Sequence, residues 1–388
     1  MMDVKPLKEI ASFIRTGKTP PTKEEKYFNG KINWYSPGDL DKTKYLFKAK
    51  RTITELAIID KKAITYPKNT LLIGCIGDIG KLGITSELCS SNQQLTGVLP
   101  NDNTDVNYLY YWFQGNKKVL ESYSNNAVVP ILNNRNLETV KIPLPPLDQQ
   151  KKIAAILDAA DTYRQKTKAL ITKYDALTQS LFLDMFGDTV RNPKGWTMKP
   201  LKEFGKIVTG NTPSRKNDAN FNDKFIEWIK TNNITSAFTN VTTAKEYLSE
   251  EGLLNSRSVN EGSLLVACIA GSINSIGRAA LTDRKVAFNQ QINAIEPFRN
   301  ISSTFLYYLF KSSSGYIQSH ASNGMKRMLS KGDFQKIKMI CPDIDIQNQF
   351  ADSVKAIEVQ KTQAQASLAQ AENLFNSLLQ RAFKGELV

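Results

Sequence analysis

The chain has 388 residues, with 51 Lys and Arg against 37 Asp and Glu, a net charge of +14. That length implies two or three domains, and 41% hydrophobic with 23% charged residues describes a globular chain, which excludes a disordered one. No apolar run approaches the ~20 residues that span a bilayer, the opening MMDVKPLKEI lacks the layout of a secretory signal, and a cytoplasmic location is expected. Cys75, Cys89, Cys268 and Cys341 form no C-x-x-C pair, so neither a zinc site nor a redox dithiol is expected. Cys75 and Cys268 lie in apolar runs and read as buried, inert thiols. The single histidine, His320, stands in a polar stretch and reads as a surface residue.

In chain order, the first half carries KPLKE at 5–9, TGKTP at 16–20, Trp34, the strand-like LLIGCIG at 71–77, SNQQL at 91–95 and TGVLP at 96–100. Short apolar runs broken by Gly, Asn and Pro predict strands. YLYYWFQGNKKVLESY at 108–123 predicts a helix with aromatics on several faces, hence a core helix. IPLPPLDQQKKIAAILD follows at 142–158. Pro143, Pro145 and Pro146 keep the chain extended, and Asp148 is a good helix N-cap. Apolar residues then recur at heptad spacing: Ile153, Ile156, Tyr163, Leu170, Tyr174, Leu177 and Leu181. Gly187 is placed to end the helix. About 37 residues at 1.5 Å each make a rod of roughly 55 Å, and such a rod must bury its apolar stripe on something.

The second half repeats the first. KPLKE returns at 199–203, TGKTP as TGNTP at 209–213, Trp34 as Trp228, LLIGCIG as LLVACIA at 264–270, SNQQL as FNQQI at 288–292, and YLYYWF as FLYYLF at 305–310. The offset stays between 193 and 197, the mark of a tandem duplication with small loop insertions. KIPLPPLDQQ aligns with KMICPDIDIQ at 338–347, which departs from the proline pattern of the first junction. A second heptad stripe follows, with Phe350, Ile357, Leu374 and Leu378 on the seam. The expected fold is α+β: two tandem-repeated globular domains, at 1–147 and 189–342, separated by long helices at 148–188 and 343–388 that form an antiparallel coiled coil. The alternative, each helix packing only on its own domain, accounts less well for the near-unbroken heptads. The four segments carry net charges of +6, 0, +10 and −2 in the order 1–147, 148–188, 189–342 and 343–388. The positive charge belongs to the globular domains, as a polyanionic partner requires.

The junction IPLPPLDQQKKIAAILD, the helix end SLFLDMFGD, the NPKGW that opens the second half and the terminal SLLQRAFKGEL, in this order and spacing, resemble the specificity subunit of type I restriction-modification systems. The likeness runs over essentially the whole chain. It implies that each globular domain is a target-recognition domain reading one half of a bipartite, asymmetric double-stranded DNA site. It implies that the helices set the half-site spacing and dock methyltransferase (modification) subunits, two per chain, with restriction/translocase subunits in the larger complex. S-adenosylmethionine and ATP with magnesium would then sit on those partners, and this chain would bind no cofactor.

The two domains should read different half-sites, so residues they share are scaffold and base readout should lie where they diverge. TGKTP and TGNTP, the NQQ repeat and the GCI and ACI strands are therefore scaffold, with Asn92 and Asn289 satisfying a buried loop. Divergence concentrates at 22–31 against 214–224, 36–51 against 230–240, and 124–132 against 321–329. Asn pairs bidentately with adenine and Arg or Lys with guanine. The base-contact candidates are Tyr27, Lys44, Arg51, Asn125 and Asn126 in the first domain, and Arg215, Lys216, Asn232, Asn233, Lys326 and Arg327 in the second. Lys18, Lys81 and Arg278 are phosphate candidates. A plain solvated role is the competing reading for each. No catalytic motif is found: GCIGDIGKL misses a phosphate-binding loop twice, with Cys75 where its first glycine belongs and Leu82 in place of the hydroxyl residue. The rival readings are an unrecognised DNA-acting enzyme and a coiled-coil tethering protein.

Overall fold

The computed structural model describes residues 3–125, 128–236, 238–322 and 327–387. They divide into two compact units: residues 1–168 with 366–388, and residues 169–365. Each unit thus takes part of both long helices, a discontinuous division that differs from the linear boundaries expected from the sequence.

In the first unit, Asp3–Pro6 pairs antiparallel with Lys141–Leu144. The KPLKE segment is thereby tied to the strand that leads into the first long helix. A five-stranded sheet runs in the order Ala11–Thr16, Leu95–Pro100, Leu71–Gly74, Leu82–Thr85, Tyr45–Leu46, and a four-stranded sheet in the order Arg51–Ile53, Phe28–Tyr35, Cys89–Ser91, Thr65–Tyr66. LLIG is buried on both faces, which explains its unbroken apolar run. The aromatic helix Val106–Gly115 starts at Asp105, whose carboxylate accepts from the backbone N–H groups of Asn107 and Tyr108 at 2.9 Å each. Residues 108–113 are all buried, because the helix lies between the sheet and the long helices.

The second unit repeats this plan. Met198–Pro200 pairs with Lys338–Ile340, and four-stranded sheets form from Gly205–Thr209, Ile292–Pro297, Leu264–Ala267 and Ala279–Leu281, and from Tyr247–Leu248, Ile226–Ile229, Val286–Phe288 and Ser258–Val259. Trp34 and Trp228 occupy the same place: each strand runs parallel to its neighbour, with Trp34 opposite Ser90 and Trp228 opposite Ala287. The four described cysteines are all buried, as expected for Cys75 and Cys268.

The long helices are Leu147–Phe186 and Ile344–Lys384. Each ends at a left-handed glycine, Gly187 at φ +76° and Gly385 at φ +80°. Their starts are equivalent in spite of the different junction sequences. The buried Gln150 amide donates to the carbonyls of Pro145 and Asn103 at 2.8 and 3.0 Å and accepts from Asp105 N–H at 2.9 Å. Gln347 repeats this with Pro342 at 2.7 Å and Ser302 N–H at 2.9 Å. A glutamine, rather than the prolines, pins both helices.

The helices pair antiparallel within each unit. In the first, Arg164 lies over Phe375 at 4.2 Å and Lys168 meets Glu372 at 3.0 Å. In the second, Asp175 meets Lys361 at 2.6 Å, and Phe182 and Phe350 stand edge to face at 5.4 Å.

The expected seam is half right. Ile153 and Phe350 are buried, and Tyr174, Leu181, Ile357 and Leu378 half-buried. Ile156, Leu170, Leu177 and Leu374 are 38, 42, 50 and 55% exposed and lie off it, whereas Tyr163, 54% exposed, flanks it and hydrogen-bonds Ser367 of the other helix at 2.7 Å through its hydroxyl. The true second seam position comes one residue later, at Leu157, Arg164, Ile171, Thr178 and Met185, and at Val354, Lys361, Leu368, Phe375 and Ala382, all buried or half-buried. A 3.5-residue repeat is satisfied by spacings of 3 then 4 or of 4 then 3. Hydrophobicity favoured the first and packing selects the second. Small seam residues (Ala160, Thr167, Ala364, Ala371) leave room for the long Arg164 and Lys361 stems to lie along the interface.

Candidate nucleic-acid interface

The shared motifs form one scaffold per unit. Gly17 N–H donates to Leu95 O at 2.9 Å, and a Cβ on Gly17 would stand 2.2 Å from Asn92 O. Gly210 N–H donates to Ile292 O at 3.0 Å, and its Cβ would stand 2.2 Å from Asn289 O. Only glycine allows this approach. The buried Asn92 bonds to Gln94 through both its amide and its carbonyl, at 2.9 and 3.1 Å, and Asn289 does the same with Gln291 at 3.1 and 3.2 Å. These asparagines close a loop, as the sequence suggested.

Above each scaffold lies an aromatic platform. Trp34 Nε1 donates to Lys18 O at 3.3 Å, Phe28 meets the indole edge to face, and the Arg51 guanidinium lies 4.8 Å from the Phe28 ring and 5.2 Å from Trp34. Arg51 faces Trp34 across the strand pair, which explains the stacking. The structure therefore gathers the candidates Lys18 and Arg51, both exposed, around one indole. Lys18 Nζ also donates to Lys61 O at 2.7 Å. In the second unit, Trp228 Nε1 donates to Asn211 O at 3.3 Å and Phe221 stands edge to face with it. The cation comes from elsewhere in the sequence: Arg215 lies 5.3 Å from Phe221 and 5.5 Å from Trp228, and Lys230 lies 5.0 Å from Trp228. Both cations pair with Glu246, Arg215 at 2.7 Å, and they hold that carboxyl below its ordinary range. Lys216 and Asn232 are exposed.

A second patch lies where Ile76, at the head of the 76–81 turn, pairs with Ile131, which also pairs with Asn125. Asn125 is exposed, and its Oδ1 accepts from Ile131 N–H at 2.8 Å. Lys81 is half-buried and pairs with Asp78 at 3.1 Å, as Lys117 does at 2.9 Å. The counterpart in the second unit joins Ile269–Ala270 to the exposed pair Arg327–Met328. Arg278, also exposed, hydrogen-bonds Ser275 and lines a cavity of about 330 Å³ with Lys311 and Gln318. Asn126 and Lys326 lie outside the described residues.

Three candidates are corrected. Tyr27 is buried, and its hydroxyl donates to Asp60 at 2.9 Å. Asn233 is buried in a turn, where it accepts from Lys230 N–H at 3.1 Å and donates to Thr243 O at 3.1 Å. It matches Asp39, which accepts from Ser36 N–H at 2.9 Å in the first unit. Lys44 has only 10% of its side chain exposed and pairs with Asp158 on the first long helix. All three fell in divergent loops, but divergence marks packing differences as well as readout. The sequence reading also passed over Phe47 and Phe238, 70 and 60% exposed within the divergent stretches, and Phe225, 54% exposed just after one of them. For two of them the signal was a large aromatic in a loop with a basic neighbour, Phe47-Lys48 and Lys224-Phe225.

The fold and these surfaces define a class: a duplicated chain of two basic α+β recognition domains, each running into a long helix. The chain belongs to the family of the type I restriction modification DNA specificity domain, whose model matches residues 1–173 and 193–371. It is 29% identical over 284 residues to the type I restriction enzyme MjaIX specificity subunit of Methanocaldococcus jannaschii, a match covering 66% of this chain and 65% of that protein. It is 29% identical over 199 residues to the type I restriction enzyme HindI specificity subunit of Haemophilus influenzae, covering 50% of this chain and 42% of that one. The chain thus spans less than two thirds of the length of either relative. In fold it is similar to the type I restriction-modification system S subunit from M. genitalium, with a TM-score of 0.60 at 14% identity over 99% of this chain and 96% of that one.

Proposed function

We propose that this chain is the sequence-reading component of a type I restriction-modification complex. Each globular domain reads one half of an interrupted, asymmetric DNA site, and the long helices set the interval between the halves. The observation that carries the reading is the contrast between the two copies. TGxTP, NQQ and the tryptophan platform superpose in role, whereas the cations on the platform come from non-equivalent positions, Arg51 in one copy and Arg215 in the other. A conserved frame with a rebuilt surface is what two different half-sites require. The chain selects the DNA and catalyses no step. Methyl transfer with S-adenosylmethionine, and ATP-driven translocation with magnesium, belong to partner subunits.

The exposed pair Leu170 and Leu177, in the second unit's part of the first long helix, supports docking of those modification subunits on the helices. It is an apolar face at heptad spacing beside the seam, suited to a further helix. Leu170→Glu should then block assembly while leaving the isolated chain folded.

The decisive experiment maps methylated bases in cells with and without this chain. Methylation should vanish at one asymmetric, interrupted motif. Exchanging residues 1–147 for those of another family member should alter one half of that motif only; a change in both halves would contradict the division of labour. DNA binding by the assembled complex should weaken steeply with salt, since phosphate contacts release counterions. Binding indifferent to salt would favour a protein-tethering role instead.

A further inference from the structure

Lys44 was expected to touch DNA, and the structure turns it inward. Its ammonium reaches Asp158 on the first long helix, and the Tyr111 hydroxyl donates to the same carboxylate oxygen at 2.6 Å. The rings of Tyr111 and Tyr110 lie 4.5 and 5.5 Å from the ammonium. The next residue, Tyr45, donates to Asn107 Oδ1 on the aromatic helix at 2.7 Å. Burial of the ammonium makes this geometry exacting, because a poorly paired buried charge is costly. A lysine with the ordinary task of solvating a loop would not be placed so.

The second unit supplies an internal control. Ile84 N–H donates to Lys44 O at 2.8 Å, and Leu281 N–H donates to Thr239 O at 2.9 Å, so Thr239 is the counterpart of Lys44 and Asn240 that of Tyr45. At the duplication offset of 197, Thr304, Tyr308 and Lys355 stand for Asn107, Tyr111 and Asp158. The lysine–carboxylate ion pair of the first unit has no counterpart among these residues, because Thr239 and Lys355 stand where it has Lys44 and Asp158. At this place the second unit has an open groove of about 500 Å³ lined by Thr239, Asn240, Thr304, Tyr308 and Lys355.

We infer that Lys44, Asp158 and Tyr111 form a positioning clamp that holds the divergent segment 36–51 against the spacer helix, and so sets the stringency of base discrimination in the half-site read by the first domain alone. The inference rests on the DNA-reading role proposed above. Asp158 and Lys44 are positioning residues; neither is placed to touch DNA.

The test uses the chain assembled with its modification subunits, with methylation rates measured on duplexes carrying the native motif or single substitutions in either half. Lys44→Met removes the cation. Asp158→Asn is the milder variant, because it removes the charge while keeping an acceptor for Tyr111. Both should retain methylation of the native motif and lower the native-over-substituted rate ratio about tenfold in one half only, the size of one relaxed base contact. Uniform loss across all duplexes, equal relaxation of both halves, or unchanged ratios in both variants would each overturn the clamp. If the wild-type complex methylates no interrupted motif, the DNA-reading role fails instead, and the two failures are distinct.

Discussion

The two halves solve one structural problem with different chemistry. In the first, Asn33 donates to Glu87 at 2.7 Å and accepts from Ala49 N–H at 2.9 Å. In the second, the corresponding Glu227 makes a two-pronged pair with Arg284, at 2.7 Å on each prong, and accepts from Ala244 N–H at 2.6 Å. Asp39 and Asn233 likewise close equivalent turns with a charged and a neutral side chain. The helix seam differs too: Phe350 of the second half, packed on Phe182, Phe186 and Tyr308, stands where the first half has Ile153. The lesson is that the position of a tether is retained while its charge is free to change, because the loop needs a donor and an acceptor in place rather than a particular residue.

The largest expected effect would sharpen this contrast in the seam. Phe350→Ala should cost about 3–5 kcal/mol, since it empties the centre of an aromatic cluster, and Ile153→Ala about 2–4 kcal/mol. Denaturation resolved by hydrogen exchange should place each loss in its own unit; equal losses would erase the aromatic difference.

Next come the glycines, where the halves should behave alike. Gly17→Ala and Gly210→Ala each force a Cβ onto a backbone carbonyl and should destabilise by about 2–3 kcal/mol. A tolerant site in either half would show that the shared motif is not a common scaffold.

A smaller effect separates the halves by pH. The Arg284 guanidinium holds the Glu227 carboxyl below its ordinary value of 4.5. The unfolded chain therefore binds this proton more readily than the folded one. The contribution is complete above the ordinary value and is lost as the pH falls through the depressed folded value. Glu227→Gln should cost about 1–2 kcal/mol at neutral pH and flatten the acid limb of the second unit's stability profile. An unchanged acid limb would assign that lability elsewhere.

The smallest effect on stability falls on the platforms, whose arginines act on DNA binding instead. Arg51→Ala and Arg215→Ala should each lower the salt slope of DNA binding by about 1 if the arginine contacts phosphate, or relax one base position by about 1–3 kcal/mol if it contacts a base. Arg215 also balances Glu246, so its loss should weaken binding more than that of Arg51.

The duplication, the strand-rich domains, the buried aromatic helices and both long helices were legible in the sequence, because each depends on local periodicity or on repetition along the chain. Gly187 was legible as a helix end for the same reason: a left-handed residue after an amphipathic run has a local signature. The seam was legible only as a repeat. Whether Ile156 or Leu157 faces the partner depends on neighbours more than two hundred residues away, such as Phe375 and Leu379, and the more hydrophobic stripe proved to be the exposed one. The fate of Lys44, Tyr27 and Asn233 was likewise a tertiary matter. A polar side chain in a divergent loop turns outward or inward according to whether a partner such as Asp158, Asp60 or the Thr243 carbonyl stands within reach, and that is decided only when distant segments pack.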